Sequence, residues 1–115
     1  MATFTKLKLS GSTNGRGIAV AATATLGTTI HTAHATALDE IWLYANNIHS
    51  SAVTLTVEFG GVTSTSDLIQ QSIAVTPSGL VLVVAGLLVT GSVVVTAFAG
   101  TANKIELFGF VNRIA

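Results

Sequence analysis

Ser51-Ala52-Val53-Thr54-Leu55-Thr56-Val57-Glu58-Phe59 is the stretch on which the fold turns. Val53, Leu55, Val57 and Phe59 occupy every second position, with Thr54, Thr56 and Glu58 between them. A period of two is that of a strand, whose side chains point alternately to opposite faces. The apolar set predicts a buried face and the Thr/Glu set a wet one. Gly60-Gly61 closes the run with a turn signal.

Just upstream, Leu38 to Ile48 places Ile41, Leu43 and Ala45 on one face of a strand and Trp42 and Tyr44 on the other. A helix competes for this segment, but the aromatics and the short bounded length favour a strand. Thr3 to Leu9 alternates as well, with Thr5, Leu7 and Leu9 opposite Phe4, Lys6 and Lys8. Further strands are expected at 17–22, 28–33, 68–75, 80–85, 92–99 and 104–112. Thr76-Pro77-Ser78-Gly79 is the clearest turn. On the last strand Phe108 and Phe110 alternate with Leu107, Gly109 and Val111, so both faces are apolar and both should be covered. Eight or nine short strands with closely spaced turns predict an all-β chain, an antiparallel β-sandwich or jelly-roll-like barrel.

The 115 residues make one domain, residues 1–115, with 1–10 a candidate N-terminal arm and 11–17 a glycine-rich connector. Half of the residues are hydrophobic and only 9% are charged, against about 25% in an ordinary domain. That balance excludes intrinsic disorder, which needs low hydrophobicity and high net charge. Lys6, Lys8, Arg16, Lys104 and Arg113 are scattered and balanced by five carboxylates, so no nucleic-acid partner is expected. There is no cysteine, which excludes disulfides and thiolate metal sites. Met1 to Lys6 lacks the apolar stretch of a secretory leader. Gly79 to Gly100 is apolar enough to raise the question of a membrane span. Gly86, Thr90, Gly91 and Ser92 interrupt it and no basic cluster flanks it, so two packed strands are expected and no membrane. A surface so poor in charge tends to associate, and much of it is expected to be covered by other chains.

Candidate chemistry is sparse. His31 and His34 form H-x-x-H, which presents two imidazoles together on a helix but to opposite faces on a strand. They are expected as solvent or interface histidines, with no metal site. Gly11-Ser12-Thr13-Asn14-Gly15-Arg16-Gly17 lacks the Gly-Lys-Ser/Thr ending of a phosphate loop and reads as a flexible connector. Glu58 and Asp67 are the one pair of carboxylates that a turn brings toward each other, with nothing else to suggest glycosidase chemistry. Ser, His and Asp all occur, but without a nucleophile elbow. No catalytic, cofactor-binding or metal-binding residues are assigned. Trp42 and Tyr44 are read as core or interface anchors, with a sugar-stacking platform as the rival. The expected interface residues are Phe4, Leu7, Leu9, Trp42, Tyr44, Phe108 and Phe110.

Gly15-Arg16-Gly17-Ile18-Ala19-Val20, Thr29-Ile30-His31-Thr32-Ala33, Asp39 to Asn47, Leu55 to Gly61, Ser78 to Val84 and Gly109 to Ile114 occur in order. In this pattern the chain resembles a group of small virion structural proteins of tailed bacteriophages, in particular head decoration or cement proteins. The resemblance implies a non-enzymatic role, in which the protein braces capsid subunits after assembly in the host cytoplasm. It implies as partners the major capsid protein or other virion proteins, and a homo-oligomer, most often a trimer. Residues 1–10 would then add a strand to a neighbour's sheet. A neck or tail protein and a virion-surface carbohydrate-binding β-sandwich are the alternatives.

Overall fold

Alternation and β-branched residues give nine strands in the computed structural model, which describes residues 3–63, 66–74 and 79–115. They are β1 (Phe4–Lys8), β2 (Ile18–Ala19), β3 (Thr28–Thr32), β4 (Leu38–Asn47), β5 (Val53–Phe59), β6 (Leu68–Ile73), β7 (Val81–Val89), β8 (Val94–Ala99) and β9 (Ile105–Ile114). No helix occurs among the described residues. Leu38 to Asn47 is a strand, as its aromatics favoured. Gly79 to Gly100 holds β7 and β8. β7 runs past the expected Ala85 to Val89.

Two antiparallel sheets face each other. One has the order β1-β9-β4-β7, with β2 also on β9; the other has the order β3-β8-β5-β6. Pairing is nested. β5 pairs with β6, β4 with β7, β3 with β8 and β1 with β9. A long antiparallel ribbon wrapped on itself gives this pattern, which is the strand order of a jelly roll.

The inward faces make one core. Ile41, Leu43, Ala45, Leu107 and Val111 of the first sheet meet Ile30, Val53, Leu55, Val57, Val95 and Ala97 of the second, all buried. Each buried Val, Leu or Ile among them contributes roughly 1.5–3 kcal/mol by leaving water. The predicted alternation in β1 holds at Leu7 and Leu9, while Thr5, set on their side, is exposed. Phe4, Lys6 and Lys8 face out, Leu7 packs against the core, and Leu9 is 1% exposed.

Several expectations need correction. Thr56 and Glu58 do not form a wet face on β5: both are buried, because the 25–27 loop and β8 bond to Glu58 and Gln70 of β6 bonds to Thr56. The candidate arm is an edge strand of the chain's own sheet, with Phe4 opposite Ile114 and Lys8 opposite Phe110. Residues 11–17 form a bonded turn. The Ser12 hydroxyl donates to the Arg16 carbonyl at 2.6 Å, and Arg16 N–H to the Thr13 carbonyl at 3.0 Å. Asn14 and Gly15 both have positive φ there, as a tight turn needs. Of the turn at 76–79 only Gly79 lies within the described residues, as do residues 3–10 of the candidate arm and 68–74 of the sixth strand.

Candidate interaction face and buried polar clusters

β4 and β9 pair over ten residues, which sets Trp42 beside Phe110 and Tyr44 beside Phe108. Since Ile41, Leu43, Leu107 and Val111 point inward, these four rings lie on the outer face of the first sheet. There they are half-exposed. Trp42 and Phe110 stack with centroids 6.1 Å apart at 13°. Lys6 Nζ sits 4.6 Å over the Phe110 ring. Glu40 accepts hydrogen bonds from Trp42 Nε1 at 2.8 Å and Asn112 Nδ2 at 3.0 Å. The Asn112 bond, then the Trp42 bond, hold the Glu40 carboxyl below its ordinary range.

Two glycines let backbone approach these rings. A Cβ on Gly17 would lie 2.6 Å from the tip of Phe108, and one on Gly86 would lie 2.9 Å from Trp42. The rings are therefore braced in place. Phe4, 71% exposed, extends the same face beside Ile114 and Leu38. The structure thus brings together five of the seven expected interface residues, Phe4, Trp42, Tyr44, Phe108 and Phe110. It turns the other two inward: Leu7 and Leu9 belong to the core side, because the period of two puts them opposite Phe4.

A polar cluster that the sequence reading missed lies between the sheets at one end. Asp39 of β4, fully buried, accepts a fork from Arg113 of β9, with Nε 2.7 Å from Oδ1 and the second nitrogen 3.0 Å from Oδ2. It also accepts from His31 Nε2 of β3 at 2.8 Å. Burial alone would raise the Asp39 carboxyl. The Arg113 and His31 hydrogen bonds, with the guanidinium charge, overcome it and lower the pKa from 3.8 to about 2. His31 Nδ1 accepts the backbone N–H of Ser10 at 3.0 Å. A lone pair on Nδ1 places the ring proton on Nε2, facing Asp39.

His31 is therefore neither a solvent nor an interface residue. Its partner in H-x-x-H is exposed, and His34 Nδ1 accepts from the N–H groups of Thr36 and Ala37. No group of three metal-ligating side chains occurs among the described residues. Nor do Ser10, His31 and Asp39 act as a triad. It is the Ser10 backbone that meets the imidazole, while its hydroxyl accepts from Thr32 N–H.

Glu58 is the second buried carboxylate. It accepts from the Thr25 hydroxyl at 2.6 Å, Gly27 N–H at 2.7 Å and the Thr96 hydroxyl at 2.5 Å. Burial pushes this carboxyl up, and these three donors bring it below its ordinary value. Asp67 instead binds Thr63 N–H of its own loop at 3.0 Å, so the two carboxylates make no catalytic pair. A recess of about 330 Å³ is lined by Leu26, Thr29, Gly60, Gly61, Val94 and Thr96, the last of which bonds Glu58. No protein-family model matches the chain, and no curated protein or solved structure matches it.

Proposed function

We propose that the protein is a non-enzymatic structural component of a tailed-bacteriophage virion. In this reading it is a decoration or cement protein that braces capsid subunits through the outer face of its β1-β9-β4-β7 sheet. The observation that carries this reading is the braced aromatic row. Trp42, Tyr44, Phe108 and Phe110 form a half-exposed patch held by stacking, by Glu40 and by close glycines. Aromatic side chains on a rigid support are the usual anchors of protein interfaces. The jelly-roll strand order occurs in both capsid and lectin domains, so the fold alone does not choose between them. A sugar platform needs an open ring face and unspent polar groups beside it. Trp42 has Phe110 stacked on it and its Nε1 already bonded, which favours a protein partner.

The test is immunogold labelling of purified particles from the source lysate, with wild type and Tyr44→Asp compared. Gold over the heads for wild type, lost in a folded Tyr44→Asp variant, is the expected result. Gold at one vertex or along the tail would move the protein to the neck or tail. Unlabelled particles, with free protein whose Trp42 fluorescence responds to sugars, would overturn the reading in favour of carbohydrate binding.

A further inference from the structure

The edges of the two sheets are unlike. On the β1/β3 side, Ser10 and Gly11 close the gap between sheets by bonding to Thr32, His31 and Ile30. β1 also carries Lys6 and Lys8. β6 presents Gln70, Gln71 and Ser72. β7 carries neither cover nor polar side chains, and only its two bulges blunt it. It pairs with β4 on one side and with no strand on the other among the described residues. It lies inside the charge-free stretch Leu68 to Asn103. Leu80, Leu82, Leu87 and Leu88 are between 44% and 54% exposed. A long apolar edge with free N–H and C=O groups is a template for another strand.

We infer that β7 pairs antiparallel with β7 of a second copy, joining two β1-β9-β4-β7 sheets across a twofold axis near Ala85. Charge selects this occupant. The edge offers no charge, so a charged partner strand would set unpaired charges against leucines, whereas an uncharged strand would not, and the chain carries such a strand. An isologous contact is self-complementary when like meets like. About Ala85, Leu82 falls opposite the partner's Leu88, and Val81 opposite the partner's Val89. Both Leu82 and Leu88 are opposite outward residues of β4, Tyr44 and Glu40, so the apolar contact continues the aromatic face.

The register against β4 shifts at Gly86 and Val83, and Gly86 has φ 71°. Bulges of this kind twist an edge and interrupt its ladder. Here they flank the axis, so backbone pairing is confined to Val81–Leu82 and Leu88–Val89, each meeting the opposite flank of the partner. The pairing holds whether or not the chain belongs to a virion, and it builds a dimer where the family resemblance implied a trimer.

Analytical ultracentrifugation of the full chain across concentration tests it, with Leu88→Lys and Tyr44→Asp alongside. Wild type is expected as a dimer. Leu88→Lys should weaken it on the order of a hundredfold by setting a charge against the partner's Leu82 in an apolar contact, while Tyr44→Asp leaves it dimeric. Leu88 is half-exposed, so circular dichroism should be unchanged. Amide exchange in the wild-type dimer should slow within 81–82 and 88–89 as concentration rises. A monomer at all soluble concentrations, a trimer, or a dimer indifferent to Leu88→Lys would each overturn the pairing. Loss of the dimer in Tyr44→Asp alone would overturn it in favour of the aromatic face. None of these outcomes bears on particle labelling, so the two proposals fail separately.

Discussion

Asp39 and Glu58 are both carboxylates buried to within 1% of full exclusion from solvent, and both lie below their ordinary pKa. Their surroundings differ in kind. Asp39 is held by a cation, an imidazole and the His34 N–H, and it ties β4 and β9 of one sheet to β3 of the other. Glu58 is held by two hydroxyls and a backbone N–H, and it ties the 25–27 loop to β5 and β8 within one sheet. Arginine has donors and no acceptor, and His31 has spent its lone pair on Ser10. A hydroxyl can turn and accept instead. The first site therefore tolerates only an anion, whereas the second can adapt to a neutral acceptor-donor group.

The strongest test of that contrast is Asp39→Asn. Its amide NH2 would face donors on every side and leave the Arg113 charge uncompensated. A loss of about 3–5 kcal/mol is expected in urea unfolding, as for breaking a buried ion pair. Adding Arg113→Met to Asp39→Asn should recover part of it, because the unpaired charge is then gone. An equal or greater loss in the double variant would show that the guanidinium contributes packing rather than charge.

Acid probes the same site without mutation. Asp39 titrates at about 2 when folded and near 3.8 when free. The unfolded chain takes up the proton first, so falling pH favours unfolding. The contribution, about 2 kcal/mol, is complete above the free value and is lost as pH falls from there through about 2. Glu58 shifts in the same direction, so it adds to the acid loss below its ordinary value. In Asp39→Asn the acid-dependent part should shrink to what the remaining carboxylates supply.

Much of this architecture was legible. Period-two alternation gave the inward residues of β1, β4 and β5, since a one-sided apolar set has one way to face a core. The aromatic row followed from the same alternation in β4 and β9. What alternation could not give was anything set by its interruption or by long-range cover. β3 slips register between Thr29 and His31, which sends both Ile30 and His31 inward. No residue type marks that slip. Thr54, Thr56 and Glu58 look alike as a wet face, but only the fold brings the 25–27 loop over Glu58. Asp39 and Arg113 lie far apart in the chain and meet because β4 and β9 pair in register. The available signal was parity: Asp39 shares the inward parity of Ile41 and Leu43, and Arg113 that of Leu107 and Val111, in a chain poor in charge.

Glu58→Gln sharpens the comparison from the mild side. Thr25, which faces Oε2, can rotate its hydroxyl to accept from the new amide, while Gly27 N–H and the Thr96 hydroxyl keep the oxygen at the Oε1 position as acceptor. The expected loss is about 1 kcal/mol, well below that of Asp39→Asn. If the two substitutions cost the same, hydroxyl reorientation is not available and the contrast fails.

The smallest effect separates the two hydroxyls. Thr96 is 2% exposed, whereas Thr25 is exposed. In Thr25→Ala water can reach the vacated Oε2 position and replace the lost donor, so the change should stay within about 0.5 kcal/mol. Thr96→Ala removes a donor that water cannot replace, at a cost of about 1–2 kcal/mol. Should Thr25→Ala cost as much as Thr96→Ala, the 25–27 loop would be sealing Glu58 as a unit. Glu58 would then resemble Asp39 in the one respect that matters here, dependence on a fixed set of donors.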